Sequence, residues 1–260
     1  MASLVEFSLE DSIGIVTLNR PEVRNAINDA MRAEFIAIIE RIATDDSVRA
    51  VVLTGNGKSF CSGGDIAGMR ERLKAPPGKI AVNGWRRQQQ THRSIAALHG
   101  LGKPTIAAVN GAAAGLGCDM TLACDFIVAS VQASFTMSFV KRGLVSDGGG
   151  MYFLPRRVGL PRAKEMIFSG RSVDAQEALT IGLADRISPA ETLIADAAAW
   201  ARDLSQGSSA AIAFTKEILD RTFESSKEQV LALGREAQAI CYTTSEHQDA
   251  VNAFLNKSGS

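Results

Sequence analysis

The chain has 260 residues, 46% of them hydrophobic, and 28 Lys+Arg balance 28 Asp+Glu to a formal net charge of zero. This length can bury a substantial core as one α/β domain, with or without an appendage, and the charge balance removes any overall electrostatic case for nucleic acid or a membrane surface as partner. Four cysteines without a CxxC pair point to reduced thiols in a reducing, cytoplasmic compartment; the opening residues show no basic stretch followed by an apolar core, so neither a secretory leader nor a membrane span is expected.

Val5 to Leu9 and Ile13 to Leu18 alternate around Asp11-Ser12, which predicts an edge hairpin with one buried face. Asn28 or Asp29 caps a helix to about Ala43, whose apolar stripe is Met31, Phe35, Ile38, Ile39 and Ile42. Ala50 to Leu53 reads as a strand covered on both faces, emptying into the glycine-rich loop Thr54 to Asp65. In that loop Gly63-Gly64 precedes Asp65, and the Gly64 peptide N–H has no side chain to cover it. From Arg70 to Gln90, charge, Pro76-Pro77 and a glutamine run predict a mobile connection leading into a helix that reaches about His99. Trp85, Arg86 and Arg87 read as a solvated helix start rather than an anion contact. His92 and His99 share a helix face, but no third ligand accompanies them and no metal site is expected.

The stretch Lys103–Asp125, KPTIAAVNGAAAGLGCDMTLACD, organises the rest. Thr105 to Val109 predicts a buried strand ending at Asn110-Gly111, and a helix follows a segment of small residues with Gly115 and Gly117. Exposed amides at such a helix start can hold an oxyanion. Asp119 falls in the first helical turn, where a carboxylate is electrostatically favoured in any case. Further on, Asp147 precedes Gly148-Gly149-Gly150, either as a group presented by a turn or as a turn cap. Pro161 to Gly170, Asp174 to Ile181, Glu191 to Ser205, Ser209 to Phe223 and Lys227 to Tyr242 read as helices, which makes the second half nearly all helical. The order predicts an α/β core over residues 1–204 and a helical C-terminal subdomain over 205–260.

Two glycine corners offering backbone N–H groups and two aspartates from other turns form an inventory suited to holding an enolate while a carboxylate moves a proton. The motifs NRPEVRNAIN (Asn19–Asn28), GNGKSFCSGGDI (Gly55–Ile66), KPTIAAVNGAAAGLGCDM (Lys103–Met120) and GLVSDGGGMYFLPRRVG (Gly143–Gly159) stand in the order and spacing of one family. Over essentially its whole length the chain resembles the crotonase superfamily, the enoyl-CoA hydratase and isomerase group. The resemblance implies an α/β spiral of β-β-α repeats, trimers or paired trimers, and coenzyme A thioester substrates; coenzyme A enters as part of the substrate and no cofactor is permanently bound.

By position, the resemblance assigns the oxyanion hole to the N–H groups of Gly64 and Leu116. Arg24, Ala26, Ser62, Asp65 and Ile66 would line the coenzyme A channel, and Phe254 and Lys257 would touch coenzyme A from a neighbouring subunit. Ala67 stands where other members place a lysine. The two glutamates of a typical hydratase correspond here to Asp119 and Phe139, so two-glutamate hydration is not expected. Asp147 stands where dienoyl-CoA isomerases, the epoxyphenylacetyl-CoA isomerase group and an aryl-CoA dehalogenase place an aspartate. The expectation is therefore double-bond isomerisation of an enoyl- or dienoyl-CoA with Asp147 and Asp119 as the catalytic pair, in a pocket made apolar by Phe139, Met137 and Met151. The alternatives are a hydratase in which both aspartates share a water and, more remotely, an RNA-binding relative using Arg86, Arg87 and Arg93. A serine hydrolase lacks its G-x-S-x-G elbow here, and a dinucleotide site lacks the G-x-G-x-x-G spacing.

Overall fold

The computed structural model describes residues 3–258. Strands β1 (Val5–Glu10) and β2 (Ile13–Leu18) form the expected hairpin, and only β1 is at the edge, because β2 continues in parallel with β3 (Ala50–Gly55). Between them α1 (Asp29–Ala43) starts where predicted: Asn28 accepts the Met31 N–H at 2.8 Å, and Met31, Phe35, Ile39 and Ile42 are buried at helical spacing. Then come α2 (Ile66–Arg72), α3 (Pro77–His99), β4 (Thr105–Val109), β5 (Ala112–Ala114), α4 (Leu116–Leu122), β6 (Phe126–Ser130) and β7 (Ser134–Thr136). The rest is α5 (Gly150–Val158), α6 (Leu160–Ser169), β8 (Ser172–Asp174), α7 (Ala175–Thr180), β9 (Arg186–Ser188) and the helices α8 (Leu193–Leu204), α9 (Ser209–Asp220), α10 (Lys227–Cys241) and α11 (Ser245–Ser258).

Two sheets result. One runs β1-β2-β3-β4-β6-β9, parallel apart from the first hairpin; the other is the short β5-β7-β8. Successive turns of chain place one strand in the large sheet and the next in the small one before a helix returns, as in β4-β5-α4 and β6-β7. The buried faces of β2, β3, β4 and β6 divide the core in two. Ile13, Val52, Ile106 and Val128 pack against α8, while Val16, Leu53, Val109 and Ile127 face the larger cluster that includes α1 and α4.

Two sequence expectations are corrected. The segment from Arg70 to Gln90 is mostly helical rather than a mobile connection, since α2 reaches Arg72 and α3 opens at Pro77, proline being tolerated in a first helical turn. The second half is not nearly all helical, because β7, β8 and β9 lie in it; strands of three residues are too short to show a period. α5 and α11 were not visible as periodic segments. Cys61, Cys118 and Cys124 are buried free thiols.

The two glycine corners are stitched together by backbone. Cys61 N–H donates to Ala112 O at 3.1 Å, and Ala114 N–H donates to Cys61 O at 2.9 Å. Gly117 is required by this approach, since a Cβ there would stand 2.2 Å from the Cys61 carbonyl oxygen. Gly117→Ala must therefore separate the corners, which costs about 1–3 kcal/mol on the scale of overpacked sites; thermal melting should show a midpoint several degrees lower, and an unchanged midpoint would refute the rigidity claimed for this contact.

Candidate active site

Gly64 is held in a single parallel bridge to Ile27, with Ile27 N–H donating to Gly63 O at 2.8 Å and Asp65 N–H donating to Ile27 O at 3.0 Å. In such a bridge the bonds to Ile27 come from the neighbours of Gly64, so its own N–H points the other way. Leu116 is the first residue of α4, where N–H groups have no intrahelical acceptor, and Gly115 before it takes φ 53° and ψ −122°, a conformation open to glycine. Neither the Gly64 nor the Leu116 N–H has an acceptor among the described residues. Both residues line one cavity of ≈ 120 Å³, walled on its apolar side by Ile66, Met69, Phe139, Leu144 and Val145.

Asp147 lines the same cavity and is the only carboxylate that does so among the described residues. It does not cap α5, whose N-cap is Gly149 in the left-handed region at φ 96° without a side-chain bond. Burial raises the Asp147 pKa above its ordinary value, and the charges of His92 and Arg87 pull it back. Asp119, by contrast, is fully buried and does not line the cavity. Its carboxyl accepts the Gly148 N–H at 3.1 Å, with Ser146 Oγ 3.5 Å away. The triple glycine follows from this packing: a Cβ at Gly148 or Gly150 would fall 2.4 or 2.3 Å from an Asp119 oxygen.

Burial first, and the nearby Asp147 charge second, push Asp119 up to about 8. Its folded value thus lies above its unfolded one, near 3.9, so the protonated form belongs to the fold and the stability it supplies is lost as pH rises from about 4 through 8. The slope is about 1.4 kcal/mol per pH unit inside that window. Melting wild type and Asp119→Asn across pH 4–9 should show the wild type losing stability relative to the variant as pH rises. A constant difference would contradict a protonated Asp119.

Arg24, Ala26 and Asp65 do not line the cavity, whereas Ser62 and Ile66 do. The Arg24–Ile27 segment docks on the Ser62–Asp65 loop through Ser62 N–H to Arg24 O at 2.9 Å. The Asp65 carboxylate is engaged within the chain: it caps α2 at the Gly68 N–H and pairs with Arg20 at 3.0 Å. Phe254 is exposed on α11 and does not line the cavity; Lys257 is on that helix, with its side chain outside what is described. Of the residues expected to make the pocket apolar, Phe139 lines it, Met137 is buried behind it, and Met151 is 57% exposed and absent from the lining. His99 lies 3.7 Å from Asp220, and no cluster of three metal-ligating groups exists among the described residues.

Arg87 is the residue that the sequence placed wrongly. It is well inside α3, half-buried, and lines the cavity, because Arg87, Thr91, Ser94 and Leu98 share the inward face. Extending that face backward from the apolar Leu98 is the signal that would have found it. Arg93 pairs with Glu40 at 2.6 Å, so Arg86, Arg87 and Arg93 form no continuous basic surface.

A family profile described as Enoyl-CoA hydratase/isomerase matches residues 8–259. The chain belongs to the enoyl-CoA hydratase/isomerase family. It is 34% identical over 249 residues to the short-chain-enoyl-CoA hydratase of Clostridium acetobutylicum, covering 95% of this chain and 93% of that one. It is 32% identical over 257 residues to the 1,2-epoxyphenylacetyl-CoA isomerase of Escherichia coli, covering 98% and 97%. A crystal structure of an enoyl-CoA hydratase/isomerase from Cupriavidus metallidurans superposes with a TM-score of 0.90 at 34% identity, over 99% of this chain and 95% of that one. The fold is therefore the crotonase fold, and hydratase and isomerase names both occur among the family relatives. No helix among the described residues is long and apolar enough to cross a membrane.

Proposed function

We propose that this member of the family takes an acyl-CoA thioester into the cavity and shifts a double bond of an enoyl- or dienoyl-CoA. The observation that carries this reading is a single carboxylate, Asp147, on a cavity that also receives the free N–H groups of Gly64 and Leu116. The thioester oxygen accepts both N–H bonds. Asp147 takes a proton from the γ carbon, the electron pair moves into the oxyanion-stabilised dienolate, and the proton returns to the α carbon, or the reverse. Asp119, kept protonated by burial, leaves the ionised role to Asp147 and fixes the turn that presents it.

A hydratase needs two polar groups on the attacking water. Asp119 is sealed from the cavity and Phe139 offers no proton acceptor, so hydration is the less supported reading. Incubation with trans-2- and trans-3-enoyl-CoA separates the two: isomerisation keeps the mass and interconverts the pair, whereas a 3-hydroxyacyl product gains one water and would overturn the proposal. We further propose assembly with copies of the chain as a trimer or paired trimers. It would use α9 and α10, which bury none of their residues and expose Leu219, Leu231 and Ile240, with the exposed Phe223 between them; light scattering reads the mass directly.

A further inference from the structure

The half-buried Arg87 guanidinium lies on the cavity wall. Its Nη2 lies 3.3 Å from where a Cβ on Gly64 would stand, and its Nε is buried without an acceptor. No nitrogen of the guanidinium donates to any described residue. Near it are two more arginines with buried, unpartnered donors: Arg32, 4% exposed, whose Nη1 donates to Asp29 while Nε and Nη2 have no partner, and Arg72, with Nη2 unpartnered. The exposed Asp29 pairs with Arg32 at 2.7 Å, and the charges of Asp29 and Asp147 both act on Arg87. Arg142 also lines the cavity and pairs with no carboxylate among the described residues.

Buried guanidinium donors left without acceptors are strongly unfavourable, and their mutual repulsion adds to this. Desolvation first, then the neighbouring Arg72 and Arg32 charges, depress the Arg87 pKa, and the charges of Asp29 and Asp147 only partly oppose them. Asp147 alone does not balance two arginines on the lining. A neutral acyl chain in this cavity would cover Arg87 and leave its N–H groups unbonded, whereas an anion would take them up bidentately. The position of the anion narrows its source. Arg87 adjoins Gly64, at the thioester end of the ligand, while the phosphates of coenzyme A are separated from the sulfur by the whole pantetheine arm.

We propose that the cavity selects thioesters whose acyl group carries a second carboxylate, held by Arg87. The inference rests on the reading that the cavity receives the acyl end of a coenzyme A thioester. With the Arg32 and Arg72 charges near it, Arg87 makes its part of the lining positive, so the acyl group lies with its hydrocarbon on Phe139 and Leu144 and its carboxylate on α3.

Calorimetric binding of unreactive thioesters tests this without requiring turnover. Succinyl-, glutaryl- and adipyl-CoA are compared with butanoyl-, pentanoyl- and hexanoyl-CoA and with coenzyme A itself, on wild type, Arg87→Met and Arg87→Lys. At least one dicarboxylic thioester should bind wild type about 10²-fold more tightly than its neutral counterpart, the scale of a buried charge pair. Arg87→Met should abolish that ratio and Arg87→Lys should retain part of it, with the affinity for free coenzyme A unmoved. Equal affinity for neutral and dicarboxylic members throughout the series would overturn the proposal. So would an Arg87→Met effect equally large on free coenzyme A, which would assign Arg87 to a phosphate, or equally large on all thioesters, which would assign it to the thioester oxygen. Should neither coenzyme A nor any thioester bind, the acyl-thioester reading itself fails, a result distinct from binding without preference.

Discussion

Replacing Asp147 by Asn should lower double-bond migration by about 10²- to 10⁴-fold, the usual contribution of a positioned acid–base group, while the thermal midpoint should stay close to that of wild type. The second half of this expectation follows from its position. Asp147 caps no helix and forms no ion pair among the described residues, so its carboxylate is not needed to hold the turn. The turn is held instead by Asp119, through the Gly148 N–H, and by the glycines that pack on that carboxyl. The proposed reaction needs Asp147 ionised, and burial raises its pKa above the ordinary carboxylate value. Wild-type kcat/KM should therefore fall on acidification at a pH above the usual carboxylate range, and this limb should vanish from the residual activity of Asp147→Asn. Undiminished migration in the variant would exclude Asp147 as the base. A drop in thermal midpoint equal in size to the loss of activity would make its role structural.

The contrast between the two aspartates shows what could and could not be read from the chain. Both stand beside glycines in the sequence, and both were candidate catalytic groups. What separates them is burial: Asp119 faces Gly148, 29 positions away, and that pairing exists only after α4 and the turn before α5 have packed. Local sequence does not encode it. The glycines themselves were more legible. Gly115 and Gly117 mark a corner because the chain takes φ 53° and ψ −122° at the first, a combination that favours glycine, and at the second an added Cβ would stand 2.2 Å from Cys61 O.

α1 was readable almost to the residue, since Asn28 caps it and its stripe has one period. β3 and β4 were readable as continuous apolar runs. The segment from Arg70 to Gln90 was misread because its helix-breaking composition, Pro76-Pro77 and Gly78, sits at a helix start, where proline does no harm. That misreading also hid Arg87: a charged residue supposed to lie in a solvated connection gives no reason to look for it in the cavity.

In the proposed reaction, backbone N–H groups from two corners act on one oxygen, and Leu116 permits a direct test. As the first residue of α4 it can be replaced by proline, which that position tolerates and which deletes the N–H. Leu116→Ala removes the same packing while keeping the N–H. The kcat of Leu116→Pro should fall about 10²- to 10³-fold below that of Leu116→Ala, as for loss of one oxyanion donor. Equal kcat in the two folded variants would mean that the Leu116 amide does not hold the reacting oxygen.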